Sequence, residues 1–224
     1  MGDILDNSTA VTGIVLSALP VGEYDKRLVI LTAQRGKISA FARGVRRSKS
    51  AYAAGCRPFA FGSFSLIEGR SSYTIRHIEI TNYFSEVTDD MNSVYLGYYF
   101  LELAQYYTRE NADELEVLKL LYQALRALSN PNLDNALVRM VYELKIMILN
   151  GDINEYYLRQ CSEVVRYTVG FIADTPSEKL FTFKLSEPAM KELSEFAAKN
   201  YSVYITKTMH SLEVLESMEN PATE

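Results

Sequence analysis

Near residue 89 the spacing of apolar side chains changes, and that change limits the fold more than any other feature of the chain. Before it, short runs alternate apolar and polar residues, the two-residue period of half-buried strands. After it, apolar residues recur at three and four positions, the period of helices packed on one face. The expected class is α+β, with a strand-rich domain over residues 1–80 and a helical domain over 81–224. A hydrophobic content of 48%, a quarter of it aromatic at 12%, gives both parts a core and argues against a disordered chain.

Five strands are expected in the first part. Val11–Leu19 is apolar on both faces and breaks at Pro20-Val21-Gly22, and Lys26–Thr32 follows. The turn Gln34-Arg35-Gly36 leads to Lys37–Arg43, a hairpin signal with glycine where positive φ is useful. In that third strand Ile38, Ala40 and Ala42 share one face, while Lys37, Ser39, Phe41 and Arg43 share the other. Lys49–Gly55 reads as one or two helical turns. Phe59–Ile67 resumes as a strand, with a bulge expected at Gly62-Ser63, and Ser72–Ile80 is the fifth. Five short strands with a helical insertion after the third match the OB-fold barrel, although the strand count alone also suits an SH3-like barrel.

The second part reads as helices. Asp90–Tyr107 is apolar nearly all round and suits a domain centre. Asn111 with Glu114 signals the start of a helix to Leu128, and Asn130-Pro131 the start of another to Leu149, stopped by Asn150-Gly151. Residues 153–160 form a short helix. Val164–Ile172, the turn Asp174–Ser177 and Leu180–Leu185 read as an irregular hairpin over about 161–185. Ser186 caps a helix to about Lys199, a last helix runs from about Thr206 to Met218, and the tail NPATE is expected to fray.

Charge divides the chain at the same place. Residues 1–80 hold 11 Lys+Arg against 6 Asp+Glu, a net of +5; the remaining 12 Lys+Arg face 22 Asp+Glu, a net of −10, and the whole chain is at −5. From Lys26 to Ile67 there are nine basic residues and no acidic one. Such a block in an acidic protein points to a polyanion partner, the bland alternative being charges that happen to segregate on solvated faces. The candidate binding residues are Arg35, Lys37, Phe41, Arg43, Arg46, Arg47, Lys49 and Arg57. Cations neutralise phosphates and release counterions, and an aromatic on the same face can stack an unpaired base. A register shifted by one residue would instead bury Phe41. Single-stranded nucleic acid suits the set best, because no sequence-reading helix lies in the basic part.

Catalytic chemistry is not legible. Gly36-Lys37 is preceded five positions earlier by Leu31 and followed by Ile38, so it is no P-loop, and neither G-x-S-x-G nor H-E-x-x-H occurs. The two histidines, His77 and His210, and the two cysteines, Cys56 and Cys161, are too few and too scattered for a zinc site or a disulfide framework. Asp89-Asp90 and Asp113-Glu114 stand where helix N-termini favour negative charge. No cofactor, metal or enzymatic activity is expected. No apolar run reaches the roughly 18 residues of a membrane span, and MGDILDNSTA lacks a signal peptide's basic and apolar regions, so a cytoplasmic protein is expected.

The run AFARGVRRSKSAYAAGCRPFAFGSFSL, preceded by VTGIVLSALPVGEYDKRLVILTAQRGKIS, closely resembles the DNA repair protein RecO family. The likeness weakens but continues through YYFLELAQYY and HSLEVLESM. It implies an N-terminal OB-fold and a helical domain, binding of single- and double-stranded DNA, and annealing of complementary strands. The implied partners are RecR, often RecF, and single-strand-binding protein, which the family replaces with RecA in the nucleoid. Many members carry two C-x-x-C pairs that bind zinc; here Cys161 is followed by Val164 at the partner position and no second pair exists. A zinc-less hairpin filled by Phe171, Ile172, Phe181 and Phe183 is therefore expected. Arg126, Arg139 and Lys145 are candidate rims for the acidic tail of single-strand-binding protein. Two other readings stay open: a protein-interaction scaffold whose basic face meets an acidic partner, and a general RNA-binding OB module.

Overall fold

The computed structural model describes residues 8–70 and 72–219; the tail expected to fray, 220–224, lies outside the described residues. Five strands, β1 (Ser8–Val21), β2 (Asp25–Thr32), β3 (Gly36–Ala42), β4 (Phe61–Glu68) and β5 (Tyr73–Asn82), close into a barrel in the order β1-β2-β3-β5-β4. Every pairing is antiparallel except that of β3 with β5. This is the OB topology, and closure leaves no free sheet edge. The expected alternation holds in β3, where Ile38, Ala40 and Ala42 enter the barrel core with Val11, Val15, Leu28, Ile30, Phe64 and Leu66.

Register irregularities shape the barrel. In β1 Val15 pairs with Ile30 and Ser17 with Val29, so Leu16 is an extra residue. A one-residue slip exchanges the two faces of a strand. Val11 and Val15 face the core before it and Ala18 packs against the core after it, which sends Leu19 and Val21 outward. The bulge expected at Gly62-Ser63 sits one step earlier, between Phe61 and Gly62, with Thr81 of β5 as the extra residue; Arg76 is a second one opposite Ser65 and Leu66.

The segment between β3 and β4 corrects the expected helix over Lys49–Gly55: it is a succession of turns. Its bonds are of the i→i−3 kind, Arg47 N–H to Gly44 O at 3.1 Å, Ser50 N–H to Arg47 O at 3.2 Å and Ala53 N–H to Ser50 O at 3.4 Å. Lys49 at φ 72° interrupts any helix. Val45, Cys56 and Ala60 of this segment drop into the barrel core.

Contact density divides the chain into two compact units. The barrel unit runs through Phe84 and takes in Thr108–Leu118; the helical unit comprises Ser85–Tyr107 and the chain from Lys119. Within the barrel unit the β2–β3 turn is tied to residues 109–111: Lys37 N–H bonds Arg109 O at 2.9 Å and Asn111 N–H bonds Arg35 O at 3.0 Å. Gly36 is required there. It has φ 63°, and a Cβ would stand 2.2 Å from Arg109 O.

The helices are α1 (Met91–Tyr107), α2 (Leu115–Leu128), α3 (Asn135–Leu149), α4 (Glu155–Arg159), α5 (Glu163–Asp174), α6 (Glu187–Tyr204) and α7 (His210–Glu219). Two starts are corrected. Asn111 adopts φ 58° rather than capping, and the Asp113 carboxylate accepts from Leu115 N–H at 3.3 Å. Asp134, not Asn130, caps α3 by accepting from Ala136 N–H at 2.8 Å. Also, α6 runs on to Tyr204 and α7 begins only at His210. In the core the Tyr142 ring stacks on Phe100 at 4.2 Å and its hydroxyl donates to Phe100 O at 2.9 Å.

The expected hairpin over about 161–185 is not formed: Glu163–Asp174 is the helix α5. Its β-branched residues read as strand, yet Val165, Thr168, Val169 and Ile172 are buried at helical spacing and the Ser162 side chain accepts from Val165 N–H. The expected apolar filling does occur, with Phe171 and Phe183 edge to face at 5.2 Å and Ile172 buried. No described helix is long and apolar enough to cross a membrane.

Candidate nucleic-acid interface

The basic loop is built onto a neighbouring turn. Gly44, at φ 65°, turns the chain away from β3, and its N–H donates to Asp25 Oδ1 at 2.7 Å. Arg46 then spans the β1–β2 turn twice, its N–H donating to Tyr24 O at 2.9 Å and its guanidinium Nη1 to Gly22 O at 3.0 Å. The Arg47 guanidinium carbon lies 5.0 Å from the Tyr24 ring centre. The guanidinium groups of Arg46 and Arg47 are thereby tied to the β1–β2 turn.

Arg43, Arg46, Arg47, Lys49 and Arg57 are all exposed. Among the described residues no carboxylate forms an ion pair with any of the five. Cations that form no ion pair among the described residues, with the Asp25 carboxylate on Gly44 N–H beside them, contribute a positive field that a polyanion would neutralise. Four of them follow one another from the end of β3, while Arg57 stands on the return leg to β4. Lys37 and Phe41 lie on the outer face of β3, both half-buried, so the shifted register that would bury Phe41 is not adopted.

Arg35 is engaged otherwise. Its Nη1 donates to Tyr73 Oη at 3.2 Å and faces Glu68 Oε2 at 3.5 Å, and its guanidinium carbon lies 5.5 Å from the Tyr73 ring centre. The bond to Tyr73, with help from Glu68, raises its pKa above the ordinary value. Its charge is partly matched within the barrel. Lys26 is likewise structural, its Nζ donating to Cys56 O at 3.0 Å and fastening the returning loop.

Strand pairing identifies a residue that sequence reasoning passed over. Arg27 is directly opposite Phe41, Leu19 is opposite Arg27, and Thr74 is beside Phe41 on β5. Directly opposed residues project to the same side about 5 Å apart. The register of the Gly36 hairpin, counted outward from Thr32 opposite Gly36, leads to Arg27 from sequence.

Two pockets are found among the described residues of the helical unit. One, of about 500 Å³ among α3, α6 and α7, is lined by Arg139, Glu143, Tyr201, Lys207, Met209 and Glu216, with others. In it Arg139 Nε meets Glu143 Oε1 at 2.8 Å, and Tyr99 donates to the same oxygen at 2.7 Å. The second, of about 270 Å³, is mainly apolar and includes Leu137, Phe181, Phe183 and Lys184. Of the three candidate rim cations, Arg139 lines the first, Arg126 is exposed, and Lys145 is no rim at all. Lys145 is buried and donates to Ile172 O, Ala173 O and Thr175 O at 2.9, 2.8 and 3.0 Å. Among the described residues no three His, Cys, Asp or Glu side chains gather as metal ligands.

A closed five-stranded barrel with a pinned cationic loop, followed by helices, defines an OB-fold protein with a basic outer surface. Comparison with known proteins narrows the class. The family model described as Recombination protein O N terminal matches residues 7–84, and that described as Recombination protein O C terminal matches residues 88–151. The chain belongs to the recombination protein O family, RecO.

Relatives named DNA repair protein RecO agree. The Alkaliphilus metalliredigens protein is 35% identical over 139 residues, 62% of this chain and 56% of that one. The Clostridium novyi protein is 29% identical over 151 residues, 67% of this chain and 59% of its own length. In both, the match spans less than two thirds of the relative. A match to the Acetivibrio thermocellus protein, 21% identical, covers 95% of this chain and 98% of that one.

Proposed function

We propose that this chain is a non-enzymatic DNA-binding and strand-annealing mediator of recombinational repair. It acts with RecR, and with RecF, to load RecA onto single-stranded DNA coated by single-strand-binding protein. Its DNA-binding residues are the eight candidates, with Arg43, Arg46, Arg47 and Lys49 foremost, Lys37, Phe41 and Arg57 supporting them, and Arg35 contributing less because Tyr73 and Glu68 already hold it.

The observation that carries this reading is the run of exposed cations after β3, without ion pairs among the described residues, two of which, Arg46 and Arg47, are tied to the β1–β2 turn. Two complementary strands repel each other through their phosphates, and cations on a fixed loop lower that repulsion while leaving base edges free to pair. Relatives of the same family are named DNA repair proteins, which supports repair as the setting.

The experiment is annealing of complementary strands coated with cognate single-strand-binding protein. The chain should accelerate annealing, and the Arg46→Ala/Arg47→Ala/Lys49→Ala variant should lose most of that acceleration. Equal rates with and without the chain would contradict the proposal.

A further inference from the structure

The outer face of α5 breaks two local rules that nothing else in the described chain explains. Opposite the buried side of this helix, Glu163, Tyr167, Gly170 and Asp174 fall in one row at helical spacing. Val164 and Phe171 flank the row on one side and Arg166 flanks it on the other. Tyr167 is 76% exposed and Val164 54%, large side chains left standing in water. Gly170 lies in the interior of the helix, where only proline is a poorer former. It makes no room for a neighbouring segment either. Leaving aside the backbone of its own helix and its chain neighbours, a Cβ built there would meet no heavy atom within 4 Å. Bare backbone beside a protruding ring marks a surface that a second body can approach closely.

We propose that this face joins two copies of the chain, their α5 helices packed antiparallel about a two-fold axis. In a two-fold contact, residue i of one copy meets residue j of the other and j meets i. Reversing α5 on itself places Tyr167 of each copy opposite Gly170 of the other, so each ring enters the gap left by a missing side chain. The same register sets Val164 against Phe171 on the apolar flank, twice. Glu163 then meets Asp174 across the row, and Arg166 stands within a turn of both to neutralise them. Shape, apolar surface and charge match in one register, which favours a second copy over an unrelated partner. One pair of helices covers less than the roughly 1,600 Å² of a standard interface, so the association should be reversible. A dimer carries two cationic loops, one for each of two strands to be annealed. The contact itself rests on α5 and is tested without DNA.

Sedimentation equilibrium of the full chain at rising concentration should show monomer and dimer related by one dissociation constant. Gly170→Gln fills the gap with a side chain that meets nothing in its own chain. It should raise the dissociation constant at least about tenfold. The thermal midpoint of the monomer should stay equal or rise, because glutamine is the better helix former. Tyr167→Ala should weaken pairing to a similar degree. Arg166→Asp should weaken it too, and Arg166→Asp/Asp174→Arg should restore it. That rescue reports a contact between copies, since residues eight apart lie about 12 Å from each other along one helix. A native chain that stays monomeric at every concentration would overturn the proposal. So would a dimer that Gly170→Gln and Tyr167→Ala leave unmoved, or a charge reversal that fails to restore pairing.

Discussion

Arg47 of the loop after β3 stacks on Tyr24 of the turn after β1, with 5.0 Å from guanidinium carbon to ring centre. An exposed cation–π contact contributes about 0.5–1 kcal/mol, too little to hold a loop alone. It acts together with the Gly44–Asp25 and Arg46–Tyr24 bonds, so the basic loop and the hairpin tip move as one piece.

Removing the Asp25 carboxylate should expose this coupling. Asp25→Ala leaves the Gly44 N–H without its acceptor and should cost about 1 kcal/mol in chemical denaturation. Asp25→Asn keeps an oxygen acceptor and should cost less than half as much. An equal cost for both would mean that the charge, not the hydrogen bond, holds the loop.

Lys145 closes the C-terminal end of α5 by donating to two of its carbonyls, Ile172 O and Ala173 O, and to that of the capping Thr175. A cation there also meets the negative end of the helix dipole. Lys145→Met should destabilise the chain by about 2–3 kcal/mol, as expected when buried acceptors lose a charged donor. With Cys161 lacking a partner cysteine, elemental analysis of the purified protein should find no stoichiometric zinc. Zinc at one per chain would contradict the assignment of this region to packing and hydrogen bonding.

Burial in the barrel pushes the Cys56 thiol up to about 11, while Lys26 nearby pulls slightly the other way. An unfolded cysteine ionises near 8.5. Keeping the thiol neutral therefore stabilises the fold fully below that value, and the contribution is lost as pH rises toward about 11. Denaturation midpoints of the native chain should fall from about pH 8.5 upward, before tyrosines begin to ionise near 10. Cys56→Ala should flatten that first part of the alkaline arm. An unchanged slope would mean that the thiol ionises over the same pH range in the fold as in the unfolded chain. Alkylation of native protein at pH 8 should accordingly spare Cys56.

The barrel was legible because alternation and the turn at Gly36 marked five short strands, and the insertion after the third favoured the OB order. Phe41 could be assigned to the outer face from the same alternation, and the register counted from that turn leads on to Arg27. What sequence concealed were cases in which packing overrode local preference. Val164, Val165, Thr168 and Val169 are strand formers placed at helical spacing, so α5 was mistaken for a hairpin. The Leu16 bulge leaves no mark in a run that is apolar on both faces, so the outward turn of Leu19 is not legible there. Lys49–Gly55 reads as helical turns with Gly55 as a stop, yet Lys49 takes positive φ and the segment forms separate turns. The fastening of the loop to Tyr24 and Asp25 is a contact between segments some twenty residues apart, which no local pattern encodes.

The central claim is that the pinned loop binds DNA through its charge. Its most direct test is single-strand affinity of the native chain and of Arg46→Ala/Arg47→Ala/Lys49→Ala across a range of salt concentrations. Each phosphate neutralised on a single strand contributes about 0.7 to the slope of log affinity against log salt, so the variant's slope should fall by up to about 2. Its affinity at low salt should drop at least tenfold, uniformly across sequences. An unchanged affinity and slope would contradict the assignment of this loop to DNA.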